Sequence, residues 1–317
     1  MYFVGRTTIL CLYRLNEHST LQYHLRETIA GCSVSSSRAN QRVPRTGSPA
    51  ESRMPLTLTI ANQKGGVAKT TTCCNLAHAF AGMGLRVLAI DMDPQASLTI
   101  SLGHDPDALE EQQATIHFAL LNERNQPRPL RSLVVGNNPA LVPSSILLAG
   151  TEQDLAVDHL RAPQTALREQ LRDIRRDYDV ILIDSLPSLG LLAVNTLVAA
   201  THVLIPTQTE RLSSSGIMLL LRTVSTIQTR FNPELEILGV LPTMHTARHV
   251  SDGLVLEGLQ KGMESLAIHV YDPIPRTTIF TRATLATQPV VLSDPRSEGG
   301  RAYLKLAREI ADRVQLT

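Results

Sequence analysis

Short apolar runs rich in β-branched residues alternate along residues 54–317 with longer stretches whose apolar positions recur every three or four residues. The first period predicts buried strands and the second predicts helices, and their alternation is that of an α/β domain with a mostly parallel sheet. Strands are expected at Leu56–Ala61, Val87–Asp91, Leu133–Val135, Ala140–Val142, Val180–Asp184, His202–Pro206, Ile237–Leu241 and His269–Tyr271. Helices are expected at Lys69–Met83, Thr115–Leu121, Gln164–Arg176, Leu191–Ala200, Ser213–Thr229 with a serine N-cap, Ser251–Ser265, Phe280–Ala286 and Glu298–Val314. In the first of these, Leu76, Ala77, Phe80 and Met83 form the inward stripe, and Gly82 and Gly84 end it.

Residues 1–53 carry no such period. They hold seven Arg and three Glu, a surplus of +4 against a whole-chain net charge of +1. The segment fits three descriptions: translation assigned too far upstream with Met54 as the first residue, a disordered arm, or an Arg- and Ser-rich transit peptide. On each of them the folded domain spans 54–317. That domain is slightly acidic, so any nucleic-acid contact must come from a local basic patch.

Composition adds little else. An apolar fraction of 43% fills a substantial core, and no run reaches the roughly 18 residues of a membrane span. Cys11, Cys32, Cys73 and Cys74 show no metal-binding or redox spacing, which suits small apolar residues in a reducing compartment. Lysine is more informative. The chain has Lys64, Lys69, Lys261 and Lys305 alone, and two of them share one loop.

That loop is Asn62-Gln63-Lys64-Gly65-Gly66-Val67-Ala68-Lys69-Thr70-Thr71, between an expected strand and helix. Glycine-rich backbone there turns successive N–H groups inward as an anion nest, and the helix N-terminus adds its positive end. The plain phosphate-loop pattern G-x-x-x-x-G-K-[ST] places Gln63 and Ala68 where glycines belong. The variant K-G-G-x-x-K-[ST] is met by Lys64, Gly65, Gly66, Lys69 and Thr70. Val67 and Thr71 complete the cradle. Asp91-Met92-Asp93-Pro94-Gln95 closes a second strand, at the edge where open α/β sheets bind ligands. Two acids two residues apart on an extended strand face opposite ways, so one can face a metal's water shell and the other an attacking water. Asp184 ends a wholly apolar strand, where a charge needs a cation or hydrogen bonds to offset its burial.

Together these segments, with Tyr178–Gly190, Leu204–Glu210, Ile274-Pro275-Arg276 and Ala302–Ala307, resemble the ParA/MinD deviant-Walker ATPases in the ParA (Soj) partitioning branch, over nearly all of Met54–Thr317. The resemblance implies a single P-loop NTPase domain, a mostly parallel twisted sheet with helices on both faces. It implies ATP and Mg²⁺, with Lys69 on the phosphates, Thr70, Asp91 and Asp184 about the metal, and Pro275 against adenine. Lys64 would reach across an ATP-dependent homodimer, and Asp93 would orient the attacking water. The implied partners are double-stranded DNA bound without sequence preference and a ParB-like protein that stimulates otherwise slow hydrolysis. The implied location is cytoplasmic and nucleoid-associated.

Three departures from the family pattern matter. Ala68 replaces a glycine, and its methyl is tolerable only at negative φ. Ser185-Leu186 stands for a Cys/Ala-Pro pair, with little consequence expected. Arg276 keeps a family basic position, whereas Ile279 replaces an arginine and Arg282 stands where an acid is common. For a DNA face the residues are Arg248, Arg276 and Arg282, with Arg222 and Arg301 weaker. The alternatives are a cargo-positioning relative, a MinD-like membrane ATPase and a nucleotide-gated DNA-binding regulator without useful hydrolysis. A nitrogenase-iron-protein-like reductase would need cluster cysteines between the motifs, where none lie. For the membrane alternative the last helix decides. Its stripe of Tyr303, Leu306, Ala307, Ile310 and Val314 lacks a bulky anchor and has mixed charge, so it is expected to dock on the core without stable membrane association.

Overall fold

Six of the apolar runs form strands: β1 (Leu56–Ile60), β2 (Val87–Met92), β3 (Ala140–Val142), β4 (Val180–Ser185), β5 (His202–Gln208) and β6 (Glu236–Thr243). They make one parallel sheet in the order β3-β2-β4-β1-β5-β6. The computed structural model describes residues 54–316 except 122–126, 158–161 and 210–213. The expectations for residues 1–53 and for a cap at Ser213 lie outside the described residues.

The helices are α1 (Lys69–Gly82), α2 (Ser97–Ser101), α3 (Pro106–Glu111), α4 (His117–Leu120), α5 (Leu148–Val157), α6 (Ala166–Leu171), α7 (Leu191–Ala199), α8 (Ser214–Arg230), α9 (Val250–Glu264), α10 (Ile279–Leu285), α11 (Val290–Ser293) and α12 (Glu298–Arg313). Strand side chains alternate between two cores, as the pleat requires. Val87 and Ala89 pack with Leu76, Phe80, Tyr303 and Ile310 on the face covered by α1 and α12. Leu88, Ile90 and Met92 pack with Leu167, Leu171 and Leu192 on the opposite face. Val203, Ile205 and Val240 extend that second side beneath α8 and α9. Helices therefore lie on both faces of the sheet, as the alternation of periods predicts.

α12 docks on the core, as its apolar stripe predicts. Tyr303, Leu306, Ala307 and Ile310 are buried against the sheet and α1, and the Tyr303 and Thr72 hydroxyls lie 3.0 Å apart in a hydrogen bond. Among the described residues no helix is long and apolar enough to cross a membrane.

Some expected elements are corrected. In place of a strand at Leu133–Val135 there is a 3₁₀ turn, Leu130–Leu133, and then one antiparallel bridge between Val135 and Leu141. The segment Gln164–Arg176 is broken into a 3₁₀ turn, α6 and a second 3₁₀ turn at Arg175–Asp177. The Thr165 hydroxyl contributes to that break by bonding back to the Ala162 carbonyl at 3.0 Å. The segment at His269–Tyr271 touches the sheet through one parallel bridge, Val240 to Val270. Helices α2, α3, α5 and α11 are additional. α3 has an N-cap that the sequence does encode, Asp105 followed by Pro106, with the Asp105 carboxylate accepting from the Asp107 and Ala108 amides.

Register positions the site. Ile60 of β1 and Asp91 of β2 both lie opposite Asp184 of β4. The carboxyl ends of three adjacent strands thus bring the phosphate-loop segment and both strand-ending acids to one edge.

Candidate active site

The loop after β1 is held from several sides. The Lys64 amide donates to Asn62 Oδ1 at 3.0 Å, and Asn62 Nδ2 donates to the Pro206 carbonyl at the end of β5 at 2.7 Å. Thr243 Oγ1 donates to the Val67 carbonyl at 3.2 Å. Gln208 Nε2 donates to the Gly66 carbonyl. Gly65 and Gly66 are exposed, and among the described residues no heavy atom lies within 4 Å of a Cβ built on either. Gly66 has φ +70, which suits glycine.

Ala68 overturns its condition. It sits in the left-handed region, φ 64 and ψ 33, at the N-cap of α1. A methyl there costs about 1–2 kcal/mol relative to glycine's freedom. Its carbonyl still accepts the Thr72 amide at 2.9 Å, so α1 begins normally. Ala96, at the N-cap of α2 after Asp93-Pro94-Gln95, has φ 51 and the same strain.

Lys69 opens α1 and is buried, and its ammonium donates to the Lys64 carbonyl at 3.1 Å across the loop. Burial lowers its pKa, and the charges of Asp184 and Asp93 partly offset that. The next residue, Thr70, donates its hydroxyl to Asp184 Oδ2 at 2.6 Å. Asp184 Oδ1 is buried and has no hydrogen-bond partner among the described residues. Burial, then the nearby Asp91, pushes the Asp184 carboxyl well above the ordinary carboxylate range. A buried acid with one oxygen unserved beside a hydroxyl is a fit for a hard divalent cation and its waters. Among the described residues no three His, Cys, Asp or Glu side chains converge to hold a metal by themselves. That fits Mg²⁺, which takes few protein ligands and completes its shell with phosphates and water.

Asp91 and Asp93 separate into two environments. Asp91 is fully buried, and it accepts from the Asp93 amide at 3.1 Å, the Thr99 amide at 2.8 Å and the Thr99 hydroxyl at 2.8 Å. Three donors on two oxygens make it an anchor for the loop that follows, whereas Asp184 is the acid with an oxygen to spare. Asp93 lies just beyond β2 and is half-buried, with Oδ1 accepting from the Gln95 amide at 2.9 Å. Ser185, the departure after Asp184, donates its hydroxyl to the Ile60 carbonyl at 2.9 Å and ties β4 to β1.

Pro275 is brought to the phosphate loop. Together with Ala68, Thr71, Thr243, Met244 and Phe280 it lines a cavity of about 260 Å³. Its segment is bonded to the one after β6, since the His245 amide donates to the Ile274 carbonyl at 3.0 Å and the Arg276 amide to the His245 carbonyl at 2.8 Å. Arg248 and Arg276 thus lie on two joined segments, both exposed, and the exposed Arg282 follows on α10. Arg222 and Arg301 lie apart from them in sequence, on α8 and α12. Thr243 and Met244 by the loop and cavity, and Thr99 behind Asp91, lie outside the quoted motifs, and Gln208 lies in one without a role assigned to it. Gln208 closes β5, beside β1, and Thr243 closes β6, the next strand out, at the carboxyl edge that parallel-sheet reasoning singles out. Nothing in the sequence marks Thr99.

A model of the AAA domain matches residues 56–237. The sporulation initiation inhibitor protein Soj of Bacillus subtilis (strain 168) is 37% identical over 254 residues, covering 80% of this chain and 97% of Soj. The chromosome partitioning protein ParA of Myxococcus xanthus is 37% identical over 259 residues, covering 80% and 87%. Among solved structures, one described as cobyrinic acid a,c-diamide synthase of Mycobacterium smegmatis with bound ADP and magnesium has a TM-score of 0.70 at 37% identity, covering 83% and 96%. The septum site-determining protein MinD of Pyrococcus horikoshii with Mg-ADP has a TM-score of 0.66 at 25% identity, covering 82% and 98%. With a domain model spanning over half its length and relatives matched over most of theirs at above one-third identity, the chain belongs to the ParA/Soj family of P-loop ATPases.

Proposed function

We propose that the chain is a DNA-partitioning ATPase whose DNA binding is switched by nucleotide. The observation that carries the reading is the pair of lysines on one loop. Lys69 is buried and folded over the loop toward the Lys64 carbonyl, so it serves phosphates within its own subunit. Lys64 is the second cation of the same loop, and its role is to hold the phosphates of a second copy. ATP thereby joins two subunits, and loss of the γ-phosphate loosens them.

Within each subunit the loop amides and Lys69 bind and orient the phosphates. Thr70 and Asp184 hold Mg²⁺, which when bound neutralises phosphate charge. Pro275 packs on adenine in the cavity beside Ala68. Asp93 orients the attacking water, and Asp91 holds the Asp93 segment in place. Arg248, Arg276 and Arg282 contact DNA phosphates, which carry no sequence information, so binding is non-specific. A ParB-type partner stimulates hydrolysis, and the protein works in the cytoplasm on the nucleoid. The names of the Soj and ParA relatives support this reading, and the buried stripe of α12 speaks against the MinD-like membrane alternative.

The test is binding of a fluorescent duplex to the full chain with ATP, with ADP and without nucleotide. Binding with ATP alone is expected, together with slow turnover. Equal DNA binding under all three conditions would overturn the switch, and tight ATP binding with no turnover would favour a nucleotide-gated regulator.

A further inference from the structure

The Asp93 segment is clamped from a direction that the phosphate chemistry does not require. Asp91 closes both ends of the stretch from Asp93 to Thr99, with Oδ1 on the Asp93 amide and Oδ2 on the Thr99 amide and hydroxyl. The Thr99 hydroxyl has one proton, which it gives to Asp91 at 2.8 Å, and it accepts the Ser144 amide at 3.0 Å. That hydroxyl thus both donates and accepts, and Asp91, Thr99 and Ser144 are all buried. Between the clamped ends the Asp93 carbonyl accepts the Ala96 amide at 2.9 Å, and Ala96 is held in the left-handed region. A strained residue persists only where its surroundings over-determine it.

We propose that Thr99 is a positioning residue for hydrolysis: it fixes Asp91, and through Asp91 the backbone of Asp93, before nucleotide arrives, and it ties that segment to residues 143–147. The inference rests on Asp93 orienting the attacking water. Thr99 touches neither substrate nor metal in this account. Its effect passes through one carboxylate, and it belongs to β2 and α2, whereas nucleotide affinity comes from the loop after β1. Thr99 should therefore govern turnover and leave ATP affinity alone. Valine keeps the shape and the backbone amide and deletes the hydroxyl, while serine restores the hydroxyl.

The experiment compares Thr99→Val, Thr99→Ser and Asp93→Asn in the full chain, with kcat per folded molecule, ATP affinity by a fluorescent analogue, and thermal unfolding. Thr99→Val is expected to lower kcat on the order of tenfold with ATP affinity within about twofold, and Thr99→Ser to restore kcat to within about threefold. Wild-type kcat in folded Thr99→Val, a serine variant as slow as the valine one, or ATP affinity lost in step with turnover would each overturn the proposal. Full turnover in Asp93→Asn would instead overturn the role of Asp93. An inactive Asp93→Asn beside a fully active Thr99→Val would remove only the role of Thr99. Hydrogen exchange on the wild-type chain needs no variant. Slow exchange of the Asp93 and Thr99 amides without nucleotide is expected, and fast exchange of both would show that nothing is pre-set.

Discussion

Thr70 donates its hydroxyl to Asp184 across 2.6 Å, and this bond is what serves the acid at the end of β4, whose other oxygen is buried without a partner among the described residues. Asp91 lies level with it on the next strand, and burial pushes Asp91 up to about 6 and Asp184 well above its ordinary value. Both carboxyls have folded pKa values above the unfolded one. Their contribution to stability is therefore complete below the unfolded pKa, near 3.9, and is lost as pH rises through the folded values. Groups such as Asp252, whose pKa is lowered by the Thr246 amide, act in the opposite sense but equally in wild type and variant. Asp184→Asn is thus expected to gain stability over wild type progressively as pH rises above the unfolded carboxylate value in magnesium-free buffer. If Asp184 holds the metal, adding Mg-ATP should reverse the order, because the variant lacks that acid. Thermal unfolding across pH, with and without Mg-ATP, checks both signs.

What the sequence conveys follows from this pair. An apolar run that stops at an acid, as Val180–Asp184 does, is legible because burying charge is expensive and must be compensated. The sheet, the phosphate loop and the docking of α12 are legible for similar reasons, since each rests on a period or a costly residue. Thr99 is not, because its partner lies eight residues back on a strand and the link exists only after the chain turns. The backbone of Ala68 is not legible either. Its sequence neighbours allow a negative φ, and the left-handed turn follows the Gly66 and Val67 carbonyls held by Gln208 and Thr243, on β5 and β6.

The docking of α12 depends on close backbone approach at its start. A Cβ on Gly300 would lie 2.4 Å from the Asp294 carbonyl oxygen and 2.9 Å from Pro295 Cα, neither of which is the end of a flexible side chain. Gly300→Ala is expected to cost about 1–3 kcal/mol. Ser297 caps the same helix by accepting the Gly300 amide at 3.1 Å, so Ser297→Ala should cost about 1 kcal/mol. Urea unfolding of the two variants reads both.

If Lys64 serves the second copy, Lys64→Ala should still bind ATP, because Lys69, Thr70 and the loop amides remain. It should stay monomeric with ATP where the wild type dimerises. Light scattering with ATP checks this, and an ATP-dependent Lys64→Ala dimer counts against the cross-subunit role.

If the joined segments carrying Arg248 and Arg276 bind DNA, that binding has a salt signature. Each phosphate contact removed should reduce the slope of log affinity against log salt by about 1. Arg248→Ala, Arg276→Ala and Arg282→Ala are each expected to weaken binding similarly on unrelated duplexes. Fluorescence anisotropy over a salt series reads the slopes, and a sequence-dependent loss would place that arginine on a base.

Ala68 and Ala96 cap the two helices that begin at the site, both in the left-handed region. Glycine at either removes about 1–2 kcal/mol of strain and adds about 0.4–1 kcal/mol of unfolded-state entropy to be lost on folding. The first effect is larger, so Ala68→Gly and Ala96→Gly should each stabilise the domain by up to about 1.5 kcal/mol. The two turns are held by separate bonds, Ala68 by those from Gln208 and Thr243, Ala96 by the Asp91 clamp. The double variant should therefore be additive within about 0.5 kcal/mol. Function should split where stability does not. Ala68→Gly acts on the phosphate loop and should tighten ATP binding, while Ala96→Gly loosens a turn that holds Asp93 and should lower kcat at unchanged affinity. Urea unfolding, analogue binding and steady-state turnover of the three variants separate these effects, and tighter binding from Ala96→Gly instead would mean that the two loops are coupled before nucleotide arrives.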